Sequence, residues 1–113
     1  MAEPPRVEHW DPALGAPTEA AIRARLADWG YRATRYVYPP GTVFPPHTHG
    51  LDKCDAVVAG RFRLEMGEAA VELGAGDCVF IPRGATHAAE VVGSAPVVSL
   101  DGSADCDSDS RTL

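Results

Sequence analysis

Apolar and polar residues alternate most cleanly in RFRLEM, where Phe62, Leu64 and Met66 interleave with Arg61, Arg63 and Glu65. A period of two is the signature of a strand with one face in a core. Around it lie YRATRYVY, AAVEL, CVFI, AEVV and PVVSL, short runs rich in β-branched and aromatic residues. They are separated by Pro-Pro-Gly, Gly-Glu, Gly-Ala-Gly-Asp, Pro-Arg-Gly-Ala-Thr and Gly-Ser-Ala-Pro breaks. Short strands at this spacing predict an all-β sandwich or barrel. Only TEAAIRARLADWGY has helical spacing, with Ile22, Leu26 and Trp29 on one face, Thr18 placed to cap the start and Gly30 placed to stop it. The pattern divides the chain into an arm and short helix over 1–30, a β-barrel over 31–101 and an acidic tail over 102–113. The tail, with Asp101 just ahead of it and Asp105, Asp107 and Asp109 within it, reads as a solvated segment.

Composition narrows the partners. Ten basic against 16 acidic residues give a formal charge of −6, which repels phosphate backbones and anionic headgroups, so neither nucleic acid nor a membrane surface is expected. No apolar run approaches the roughly 18 residues of a membrane span, and the first residues lack a basic stretch followed by an apolar one. Cys54, Cys78 and Cys106 are odd in number and widely spaced, which argues for a reducing compartment, the cytoplasm, over a disulfide framework.

The chemistry concentrates in GTVFPPHTHGLDKCDAVVAG and GDCVFIPRGATHAAEV. His47 and His49, two apart, would sit about 6.6 Å apart on one face of a strand and could converge on a metal ion, and His87 could join them from another strand. In register, Gly41, His47, His49, Lys53 and Gly60 form one motif and Gly76, Pro82, Gly84, His87 and Val91 a second, 15 residues on. The pair resembles the two motifs of the cupin family, with Lys53 where the first has a glutamate and Val91 where the second has an asparagine. Aligning from His49 alone would instead put Cys54 at the glutamate position, as in cysteine dioxygenase; counting back from Gly60 favours Lys53.

The resemblance implies a cupin double-stranded β-helix, a jelly-roll barrel, with His47, His49 and His87 as ligands of a divalent transition metal such as Fe, Zn, Ni, Mn or Cu. Three neutral imidazoles leave coordination positions open. Without an anionic protein ligand the ion keeps its full charge and favours a small anionic or enolisable molecule. Lys53 and Asp55 are expected to face the cavity as an ion pair, with Phe44, Phe62 and Phe80 as candidate pocket wall and Glu65 and Glu90 within reach of it. The chain is then a metal-dependent enzyme, a dioxygenase or an isomerase-like cupin, or alternatively a non-catalytic small-molecule-binding or sensor cupin. The segment RATRYVY is suited to pairing with a second copy, which predicts a homodimer.

Overall fold

A computed structural model describes residues 5–104. It contains nine strands and one α-helix: β1 (Arg6–Glu8), α1 (Glu19–Asp28), β2 (Tyr31–Tyr38), β3 (Val43–His47), β4 (Lys53–Ala59), β5 (Arg61–Met66), β6 (Ala69–Leu73), β7 (Cys78–Ile81), β8 (His87–Val92) and β9 (Val97–Ala104). The strands form two antiparallel sheets, ordered β1-β7-β4-β9-β2 and β3-β8-β5-β6, the jelly-roll architecture expected.

Two apolar clusters hold these layers together. Between the sheets, Val57, Phe62, Leu64, Met66, Leu73, Val79, Ile81, Val91 and Val97 form the main core. The other face of the five-stranded sheet is covered by α1, whose Ile22 and Leu26 are fully buried against Cys54, Ala56, Cys78 and Leu100. The helix begins as its sequence requires: the Thr18 hydroxyl accepts from the Ala21 N–H at 3.1 Å. Gly30 follows it with φ of +92°. Trp10 and Trp29 reinforce this layer, Trp10 packing on the cluster beneath the helix and Trp29 lying 5.3 Å from the Phe80 ring.

Three elements depart from the sequence pattern. Arg6–Glu8, expected as irregular arm, pairs with β7 in the register Arg6↔Phe80 to Glu8↔Cys78. β8 begins at His87, ahead of the apolar run AEVV. β9 continues through Asp101 to Ala104, past the expected start of the tail, because it pairs along both β4 and β2 and its polar residues acquire partners on each side. Cys106, Asp105, Asp107 and Asp109 lie outside the described residues.

Candidate metal centre and pocket

The histidines are brought together by local constraints. β3 contains Pro45 and Pro46, which cannot donate to a ladder, and it lies at the edge of its sheet, where that loss is tolerated. A register irregularity between Phe44 and His47 sets His47 directly across from His87. His49 lies just beyond the end of β3, so turn geometry and not strand alternation aims it. That turn is pinned by the second motif: the Gly84 N–H donates to the His49 carbonyl at 3.0 Å and the Arg83 N–H to Asp52 Oδ1 at 2.7 Å.

The imidazoles converge. Ring centroids lie 4.2 Å apart for His47 and His87, 4.8 Å for His47 and His49, and 5.0 Å for His49 and His87, and one nitrogen from each ring falls within 4.8 Å of the other two. His47 Nδ1 donates to the Pro45 carbonyl at 2.7 Å and His87 Nδ1 to the Ala85 carbonyl at 3.0 Å. A carbonyl can only accept, so each proton sits on Nδ1 and Nε2 keeps its lone pair, the arrangement that orients histidine ligands of metals. Burial, then the nearby Lys53 ammonium, pushes the His49 pKa down; burial also lowers that of His87, against the opposing Ala85 hydrogen bond. Neutral imidazoles with a free lone pair suit a first-row divalent ion.

Beside them opens a pocket of about 150 Å³, lined by Tyr38, Phe44, Phe62 and Leu64 as well as the three histidines. Tyr38 stacks on Phe62 at 5.7 Å and meets Phe44 edge-on at 4.8 Å. Burial, followed by the Asp101 and Asp55 charges, pushes the Tyr38 hydroxyl up to about 12. Asp55 also lines the pocket, joined by Asp101 and Ser99 from β9.

Several expectations are corrected. Lys53 is buried but does not line the histidine pocket, and its partner is Asp101, not Asp55: the ammonium forms an ion pair with Asp101 Oδ1 and donates to Ser103 Oγ at 3.2 Å. The reason is register, since Lys53 sits across from Ser103 and Asp55 across from Asp101. Phe80 leaves the pocket, because alternation along β7 sends Val79 and Ile81 to the core and Phe80 to the helix side, beside Trp29 and Tyr31. Cys54 likewise faces the helix, where it is buried with Cys78, so it has no place among the histidines. Glu65 and Glu90 are exposed and pair with Arg63. Asp101 and Tyr38 were not singled out from sequence as pocket residues. Asp101 heads an acidic run that resembles a tail, and Tyr38 closes a strand in which Arg32, Thr34 and Arg35 break any strict alternation.

Comparison with known proteins agrees with this fold. A family model described as "Cupin domain" matches residues 34–102. Among solved structures, KdgF from Halomonas sp. is 26% identical with a TM-score of 0.59, over 74% of this chain and 76% of that one. The DMSP lyase DddQ from Ruegeria pomeroyi is 28% identical with a TM-score of 0.61, over 70% of this chain. This chain spans only 41% of the length of that lyase. A cupin-like protein from Thermotoga maritima, 23% identical with a TM-score of 0.61 over 68% of this chain and 59% of that one, shares the fold. No curated protein matches.

Proposed function

The chain belongs to the cupin family, and we propose that His47, His49 and His87 hold one divalent transition metal ion, beside which the pocket binds and transforms a small anionic or enolisable molecule. One observation carries this reading: three imidazoles from β3, the following turn and β8 converge, two of them with Nδ1 committed to backbone carbonyls. The ion supplies a positive charge that polarises an oxygen-bearing ligand. The chain supplies the aromatic wall of Tyr38, Phe44 and Phe62 and the polar side of Asp55, Ser99 and Asp101. The likeness to a DMSP lyase supports an enzyme over a passive binder.

The protein works in the cytoplasm as a homodimer. Its odd, widely spaced cysteines support the compartment. The support for the dimer is β2, which ends the five-stranded sheet and leaves Tyr36 45% and Val37 50% exposed.

Metal analysis of untagged protein, with equilibrium dialysis against Zn²⁺, Fe²⁺, Mn²⁺ and Ni²⁺, tests the centre. One ion per chain is expected, and His87→Ala should lose at least about 100-fold in affinity, the scale of losing a ligand or its support. Binding that survives in His87→Ala, or no uptake by the wild type, overturns the reading.

A further inference from the structure

Asp55 and Asp101 are direct cross-strand partners on β4 and β9 and both line the pocket. Their surroundings differ. Asp101 Oδ1 is held by the Lys53 ammonium. Both Oδ1 atoms are buried without a hydrogen-bond partner among the described residues, so the Lys53 ion pair at Asp101 is what separates the two carboxyls. We propose that Asp55 and Asp101 share one proton and act as the acid and base that move a proton between carbon and oxygen of a small carbonyl acid seated in this pocket. This deepens the metal-site reading and rests on it.

Two carboxyl groups in contact cannot both ionise cheaply, and the one with less compensation keeps the proton. Burial, then the Asp101 charge and a hydrogen bond between the carboxyls, raises the Asp55 pKa well above its ordinary value, against the lowering effects of Lys53 and the Gly102 N–H. Tyr38, which also faces both carboxyls, stays neutral at physiological pH and adds no charge. His49 and His87 feel the Asp101 charge from the other sheet. The result is a proton donor, Asp55, beside an acceptor, Asp101, in one enclosed wall.

The step this pair permits is balanced without a co-reactant. The carboxylate of Asp101 takes the proton of a carbon adjacent to the ligand's carbonyl, and the electron pair of the broken C–H bond becomes the C=C bond. The carbonyl oxygen takes the proton held by Asp55, giving the enol. Return of the proton from Asp101 to the same carbon regenerates the ligand; where that carbon carries a hydroxyl, its return to the former carbonyl carbon, with the hydroxyl proton passing to the Asp55 carboxylate, gives the isomeric carbonyl. Nothing is oxidised or reduced. The ligand's carboxylate belongs at the histidines and its carbon chain against Tyr38, Phe44 and Phe62.

Two measurements test the pair. In infrared difference spectra of metal-free protein at about pH 6, above the ordinary carboxyl range, a protonated carboxyl band is expected in the wild type and absent in Asp55→Asn. Its absence from the wild type overturns the proposal whatever the metal does. In D₂O, with metal loading measured on the same samples, the wild type should exchange the methyl protons of pyruvate, followed by proton NMR. Asp55→Asn and Asp101→Asn should each slow that exchange by about 100-fold or more, the usual weight of a general acid or base, while still loading metal. Metal-loaded wild type that exchanges no pyruvate, or variants that exchange as fast as wild type, overturn the carboxyl pair and leave the histidine centre standing. Failure of the wild type to load metal is instead the failure of the centre.

Discussion

Lys53 is an ammonium placed among neutral imidazoles and acidic groups, and its tolerance follows from its ties. With its side chain 10% exposed and that of Asp101 25% exposed, the pair is buried enough that removing one member leaves a poorly compensated charge. Lys53→Met should cost about 3 kcal/mol, read as a lower urea midpoint at unchanged slope. Lys53→Glu, which would place three carboxyls together, should destabilise metal-free protein at least as much, but should recover more stability than wild type when metal is added, since it offers the centre a fourth ligand. Asp55 makes a prediction of opposite sign. It ionises in the unfolded chain near pH 3.9 and only well above that in the fold. Above about pH 4 the unfolded chain has therefore lost a proton that the native chain keeps, and stability declines as pH rises until Asp55 itself ionises. Asp55→Asn should raise stability at pH 7 and give no gain near pH 4, as urea titrations at the two values will show. The histidine set was legible in the sequence because its spacing is local to two short motifs. The Asp55–Asp101 contact was not, because it depends on the register of β4 against β9, 46 residues apart in sequence, and no local pattern encodes that.

At the scale of elements, the strands with clean alternation or strong breaks were legible. RFRLEM is β5, AAVEL is β6, and YRATRYVY is β2 to the residue. Where neighbours decide, the pattern was silent: RVE becomes a strand only because β7 offers it an edge, and the polar end of β9 is ordered by partners on both sides. Gly102 shows how tight that flanked strand is. A Cβ there would lie 2.5 Å from the Cys54 carbonyl oxygen and 3.2 Å from Tyr31 Cβ. Gly102→Ala should therefore force β9 away from β4, loosen the Lys53–Asp101 pair and cost about 1–3 kcal/mol, with loss of the infrared acid band as the local signature. The helix makes a separate contribution through Leu26, fully buried under the sheet. Leu26→Ala should cost about 2–5 kcal/mol in chemical denaturation without altering metal affinity, because the sheet stands between helix and pocket.

For the whole molecule, the proposed dimer draws on a sheet edge. β2 pairs on one side with β9, and no other described strand pairs with it, so if the proposed dimer forms there, Val37→Lys, which places a charge on that edge, should convert a dimeric mass in light scattering to a monomeric one. The distribution of the site over the two sheets matters more broadly. The histidines belong to the β3-β8 side, whereas Asp55, Asp101 and Tyr38 belong to the β4-β9-β2 side. A ligand that touches both is a rivet through two plates. Metal alone should slow amide exchange in β3 and β8 only, but metal with a bridging acid should slow it in β4 and β9 as well. The barrel then opens as a single piece where before it had two seams, and occupancy of the pocket can be read from the breathing of strands that never touch the metal.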